Sequence, residues 1–475
     1  MSDRLTCMPR NPLAACLLAL ALASPPALAA TTWTINVCDD SVTGSGTSGS
    51  LRYAAANALS GDTIDMSLNC SVVTFASGDV VLPQTDITLQ GSGMHTLVLS
   101  GNGTSSRVLT HTGTGTLSLK NLSVVNGQVT TSLGVDALGG CIRSNGSVFL
   151  DHVAVQVCRA TEISNSGEKA LGGGIHAANN VYGKYSDISN NTVSSETRDP
   201  QSGGAGIYSK NSVALFAQTT ISGNSATKTM GGGIRTAGSV TVKNSAISGN
   251  SAFIGGAIHA RSATGAGVTF SLQNSTVSGN LAEKVVGGVW SNAETIQVYN
   301  ATVAFNTAAS NHYYGRDASP GLNIDDTGAY YTDSTHFKFK NVTLQSSVIT
   351  NNSVGVPPWP DDLGITRFSN FNAVRFSGQD NLIFSVPSVL PLGVATTGVC
   401  AQLGPLRDNG GGTMTHALMS GSPAIDLGNT LWAGIGAFDQ RGSPFARVSG
   451  SQADIGAHEV QQADIIFTAG FDGCP

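Results

Sequence analysis

The sequence predicts an all-β protein, a right-handed parallel β-helix with a short capping helix at its start. Three observations predict it. A glycine pair followed by an aliphatic recurs as GGCI at 139–142, GGGI at 172–175, GAGI at 204–207, GGGI at 231–234, GGAI at 255–258 and GGVW at 287–290. That spacing of 24 to 33 residues means stacked units rather than one globular core. Composition agrees: glycine is abundant at 58 residues and charged residues make up 11%, neither of which favours helices. Finally, runs such as Ser239-Val240-Thr241-Val242-Lys243 and Val268-Thr269-Phe270-Ser271-Leu272 alternate with period two, as strands do.

At the N-terminus, Arg4 and Arg10 precede an apolar run from Leu13 to Leu22 and the small-residue cleavage signal Ala27-Leu28-Ala29. This pattern reads as a secretory leader, too short to span a bilayer. Leu13-Ala14-Ala15-Cys16 mimics a lipoprotein box, but the apolar run follows the cysteine instead of preceding it, so a lipid anchor is rejected. Six cysteines remain after the leader: Cys38, Cys70, Cys141, Cys158, Cys400 and Cys474. An even number in an exported chain points to disulfides. Pairing 38–70, 141–158 and 400–474 closes the shortest loops, one of about fifteen connectivities.

Next comes a strand over Thr32 to Val37, then Ser50 to Ala58, the best helix in the chain, placed to shield the open edge of the first coil. From about residue 63 each unit holds two or three short strands, enough for one coil. The expected divisions are a leader over 1–29, a cap over 30–62, the solenoid over 63–395, a C-terminal module over 396–460 and a tail over 461–475. A second phrase closes each coil with asparagine: Asn191, Asn224, Asn250, Asn280, Asn306 and Asn351 are predicted to share one register. Stacked asparagines at a turn bond amide to amide along the axis. Cys158 falls at the same register, where a disulfide with Cys141 would replace the ladder residue.

The residue after each inward aliphatic must point outward. That row reads Arg143, His176, Tyr208, Arg235, His259 and Trp290, with Asn323 next, and would extend about 30 Å along the axis. Sugar rings stack on aromatic faces, and Arg or His can pair with uronate carboxylates. The row is therefore the candidate glycan-binding site. Long inserts at Arg159–Leu171, Thr192–Ser202 and Thr307–Pro320 precede it. They would bring Glu162, Glu168, Lys169, Glu196, Arg198, Asp199, His312, Tyr313, Tyr314, Arg316 and Asp317 close to the row.

Other chemistries find less support. A lyase needs a base and a cation, which the row could supply. A glycosidase needs two carboxylates about 5–9 Å apart, and the row has none. Asp325-Asp326 and Asp361-Asp362 read as solvated turns rather than a calcium site, and no His/Cys cluster has zinc spacing. Asp408-Asn409-Gly410-Gly411-Gly412 is a turn, since it lacks the Lys-Ser/Thr of a phosphate loop. No cofactor or metal is called for. A net charge of −6 with no basic cluster excludes nucleic acid as the natural partner.

Three stretches carry family resemblances. GSLRYAAANALSGDTI at 49–64 resembles the N-terminal cap of secreted right-handed β-helix proteins. The repeats are similar to those of polymorphic outer-membrane proteins, with Ile or Val where that family has an aromatic. The segment LGPLRDNGGGTMTHALMSGSPAIDLGN at 403–429, with FDQRG at 438–442 and ADIGAHE at 453–459, closely resembles the choice-of-anchor Q domain. The ending over Asp464 to Asp472 looks like the IFxxGF tails of some exported gammaproteobacterial proteins. These resemblances imply a pectate-lyase-like solenoid at or beyond the cell surface, and no single activity. No segment after 460 is long enough for a translocating barrel, so a self-transporting autotransporter is not expected. The leading expectation is a non-catalytic, adhesin-like protein binding a polysaccharide or surface glycan, with no transmembrane segment in the mature chain. A polysaccharide lyase acting on uronate polymer and a purely structural stalk are the alternatives.

Overall fold

The computed structural model describes residues 29–461, except 68, 104–105, 133, 165–166, 264, 314–315, 328–329, 332–336, 356–357, 368–372, 387–389 and 432–435. Residues 1–28 of the expected leader over 1–29, and residues 462–475 of the expected tail over 461–475 with Cys474, lie outside the described residues.

One coil illustrates how the sequence folds. Val240–Lys243 forms a strand, and Asn244 takes a left-handed φ of +50° to turn the chain into a second short strand, Ala246–Ser248. Asn250 makes the next corner, Ser251–Ile254 the third strand, Gly255 and Gly256 another corner, and Ile258–Ala260 the fourth. Each strand pairs in parallel with its counterpart one coil away, as Ile258 does with Ile234 and with Val289. Stacking yields a parallel β-helix with long parallel sheets of 24, nine and ten strand segments, the first containing the bend at Asn244. The two glycines of the repeat have different reasons. Gly255 sits at φ +70°, where an L side chain is strained, whereas a Cβ on Gly256 would meet the carbonyl oxygens of Gly287 and Leu281 at 2.5 Å.

Inward aliphatics stack into a continuous core: Ile142, Ile175, Ile207, Ile234, Ile258 and Val289 are all fully buried. Each contributes about 1.5–3 kcal/mol by leaving water. Helix α1 (Leu51–Asn57) closes the N-terminal end with Leu51, Ala54 and Ala55 buried. Ser50 caps it by accepting from the Tyr53 amide, and the Gln84 side chain donates to the carbonyls of Ala55 and Ala58. The strand Thr32–Val37 pairs in parallel with Thr63–Asp65, so the cap joins the first sheet directly.

Asparagines close the corners in sequence. Asn191, Asn224, Asn250, Asn280 and Asn306 are fully buried, and each accepts at Oδ1 from the amide and side chain of its neighbour, apart from Asn191, whose neighbour is the Cys158 amide. The ladder then continues to Asn352, not Asn351. Asn351 is the left-handed turn residue beside it, at φ +57°, so its side chain does not enter the column. Asp362 ends the column, accepting from both the amide and the side chain of Asn352. A second buried ladder runs along the bend of the first sheet, where Ser245 accepts from Thr219 and donates its own amide to Ser275. Cys38–Cys70 and Cys141–Cys158 are disulfides, and Cys400 is also disulfide-bonded.

Residues 396–460 fold back along the solenoid. A hairpin of Leu403–Arg407 and Thr415–Leu418 packs with Ala424 and Ile455 on Ala304, Val348 and Leu382 of the coils. Polar contacts extend from Gln218, which donates to Arg441 O at 2.7 Å, through Thr276 and Ser278 to Ser346. Its interior holds charge: the Arg441 guanidinium forks onto Asp439 at 2.7–3.2 Å, both fully enclosed, and Arg447 faces Glu459 at 3.8 Å.

Candidate functional site

The outward row lies on the ten-stranded sheet. Arg143, His176, Tyr208, Arg235, His259, Trp290 and Asn323 pair one to the next in strict register. Burial divides the row in two. Arg143, Tyr208 and Arg235 are partly exposed, His176 is 8% and His259 4% exposed, and Trp290 and Asn323 are fully enclosed, so the cover is complete only from Trp290 on.

The enclosed half has a cover of its own. Met230, Ile254, Val285, Val286 and Ala318 close over Trp290 in a small apolar cluster. Trp290 Nε1 donates to Asp325 at 3.1 Å, and the Arg261 guanidinium stands 5.0 Å from its ring while pairing with Asp325 at 2.5 Å. Trp290 therefore presents no free face to a sugar, contrary to the sequence expectation. Asp325 is a buried counter-ion and not a solvated turn, and Asp362 is likewise buried at the ladder's end. His259 stacks edge-on against Trp290, and burial beside Arg235 and Arg261 pushes its pKa well below the usual value. Arg235 is held by the loop before it, donating to the carbonyls of Ser202 and Pro200. Asn323 bonds inside the fold to Ser319 and Thr366.

The open half has different electrostatics. His176 and Tyr208 stack at 5.3 Å with rings 8° from parallel. Burial, then Arg143 and Arg107, push His176 down to about 4, so the ring is neutral at neutral pH. Arg107 is neutralised by Asp79 at 2.7 Å. Arg143, next in line, has no hydrogen-bond or ion-pair partner among the described residues, and its Nε is buried and unsatisfied. Burial and Arg107 lower its pKa. Chemically this is a neutral aromatic pair beside a guanidinium without a hydrogen-bond partner among the described residues, a combination that receives an anion attached to a ring.

The inserts contribute unequally. Arg159–Glu162 is a strand of the nine-stranded sheet, and Glu162 is buried against Ser195 instead of reaching the row. Glu168 is used by Gly134 and Ser164. Lys169 is only partly exposed and Glu196 is exposed. His312 and Asp317 form an exposed pair at 3.3 Å. The side chains of Tyr313, Tyr314 and Arg316 lie outside the described ones. Arg198 and Asp199 line a cleft of about 270 Å³ with Pro200, Lys228, Met230, Phe253 and Lys284. The last four escaped sequence reasoning, although Lys228, Phe253 and Lys284 each stand two or three residues before a corner.

Among the described residues no three His, Cys, Asp or Glu side chains gather to hold a metal. No family model matches the chain, and no curated protein matches it. Among solved structures it is similar to the pectate lyase Pel9A, at 14% identity and a TM-score of 0.48, covering 91% of this chain and 97% of that one.

Proposed function

We propose that the protein is an exported β-helix that holds an acidic glycan on its open row, without cutting it. The carrying observation is Arg143, an unpaired guanidinium one coil from the stacked His176 and Tyr208. A uronate carboxylate would take the guanidinium, and its ring would lie along the aromatic pair. Export is supported by the leader pattern over 1–29 and by the disulfides. No helix among the described residues is long and apolar enough to cross a membrane. The segment over 396–460 fits a choice-of-anchor-Q-like module, and its place along the solenoid flank leaves the row uncovered.

Binding without cleavage is favoured because the row lacks the carboxylate pair of a hydrolase, burial pushes the His176 ring down to about 4 and so makes it a weak base, and Arg235 is engaged by backbone carbonyls. The test is calorimetric titration with uronate oligomers, together with ultraviolet detection of unsaturated product. Wild-type protein should bind and release none, and Arg143→Ala should weaken binding about tenfold or more. Unsaturated product that disappears in His176→Ala would establish a lyase instead. Absence of binding to any acidic or neutral glycan would leave a structural stalk.

A further inference from the structure

The cleft beside the covered half of the row has its own chemistry. Its wall is the loop over 196–202, fixed by several bonds. Asp199 accepts from the Gln201 amide at 2.8 Å and from the Ser202 hydroxyl, Ser202 receives the Ala170 amide, and Arg235 clamps the carbonyls of Pro200 and Ser202. The single carboxylate lining the cleft is thus committed to the loop. The floor is apolar, made by half-buried Phe253 and by Met230, and both belong to the cluster that covers Trp290.

Three cations stand over that floor. The Arg198 guanidinium lies 4.7 Å from the centre of the Phe253 ring, with no ion pair among the described residues. Lys228 donates only to the Glu196 carbonyl, and Lys284 has no side-chain partner among the described residues. Lys228 is also conformationally unusual. It sits at φ +60° in the strand Ser225–Met230, where the register with Ser251–Ile254 shifts between Ala226 and Met230. A bulge of this kind re-aims a side chain, and left-handed backbone is uncommon for lysine.

We infer that this cleft is a second binding site, for one acidic sugar residue. Three cations against one committed carboxylate select an anion, and the Phe253–Met230 floor selects a ring with an apolar face. The volume of about 270 Å³ lies just under the range of drug-sized pockets and suits a ligand of about one ring. Carboxylated and sulfated sugars share this chemistry. The site goes beyond the open-row reading and stands without it.

The experiment uses the full chain carrying Arg143→Ala, which weakens the open row, so that a loss caused by the cleft variants is read separately from that row. It is titrated with a methyl uronide, a sulfated monosaccharide, the neutral methyl glycoside and inorganic sulfate. An acidic sugar should bind, and adding Lys228→Ala with Lys284→Ala should weaken it about tenfold or more. The charge-matched pair Lys120→Ala with Lys243→Ala, on the first sheet and outside the cleft lining, should leave affinity within about twofold. The stronger of the two acidic sugars identifies the anion. Three results would overturn the inference: cleft variants that bind like their parent, equal loss in the first-sheet control, or inorganic sulfate or the neutral glycoside binding as well as the acidic sugars.

Discussion

Replacing Asn352 by Ala, with Asn351→Ala as its neighbour control, tests the ladder at the position where sequence and structure part. Asn352 is fully buried. Its Oδ1 accepts the Asn306 amide at 3.0 Å and the Asn306 side chain at 2.8 Å. Its Nδ2 donates to the carbonyls of Val303 and Thr350 at 3.0 Å and to Asp362 at 2.9 Å. Alanine removes all five bonds. The Asn306 amide is left without its acceptor, and the Val303 carbonyl and Asp362 lose a donor. A buried polar group stranded in this way costs about 1–3 kcal/mol. Partial compensation by the strand bonds of Val303 leaves an expected loss of about 3–5 kcal/mol. Asn351 lies outside the column, and Ala there removes the acceptor of the Thr350 hydroxyl at 3.1 Å and keeps the left-handed φ of +57°, together about 1–3 kcal/mol. Urea unfolding followed by circular dichroism supplies both values, and amide exchange near residue 306 localises the damage. Equal losses for the two variants, or an Asn352→Ala loss below about 1 kcal/mol, would refute the ladder as a source of stability.

Three further outcomes are expected. Burial raises the pKa of Asp362 to about 6, so its contribution is complete below the ordinary carboxylate range and lost as pH rises through about 6; Asp362→Asn should shrink the difference in unfolding free energy between pH 4 and pH 7 by about 2 kcal/mol, and an unchanged difference would contradict this. Arg441→Ala leaves Asp439 enclosed without its partner, at about 3–5 kcal/mol, so limited proteolysis should release the segment over 396–460 while the solenoid's circular dichroism persists; full protease resistance would show that the pair does not hold the module. Trp290→Ala should cost about 3–5 kcal/mol of stability, with binding at the open row unchanged. Lost binding with undiminished stability would return Trp290 to the ligand site.

The coils were legible because some positions admit few residue types and recur every turn. Gly255 needs a left-handed backbone and Gly256 a missing Cβ, so the repeat prints both. Asn352 was legible too, because in ISGN the asparagine stands three after the aliphatic, and three after Ile349 is Asn352. The doubled asparagine hid it. The serine ladder at the bend went unread since serine is also a common outward residue, and nothing in a lone Ser245 or Ser275 distinguishes a buried hydroxyl from a solvated one. Alternation gave the register of the row but not its cover. The cover comes from Met230, Ile254 and Val285, apolar residues set just before the corners, and from the aperiodic loop over 196–202. The apolar pair Val285-Val286 before the last glycines was the available signal.

Two coverings begin on one coil, and their coincidence bears on function. Among the described hydrogen bonds, the C-terminal segment is first met by Gln218, and the row is clamped at Arg235, which belongs to the same turn of the helix. Beyond that turn the first sheet's bend lies under the module and the outward row lies under its own loops. Before it, Arg143 and Tyr208 remain partly exposed, with His176 stacked against Tyr208. A solenoid that needed only stiffness would gain by burying the whole row, since stacked aromatics and cations are more stable when packed and paired. Leaving an arginine without a hydrogen-bond partner among the described residues beside a stacked pair costs stability without structural return. That cost makes sense if a ligand completes the site, as proposed above for the open row.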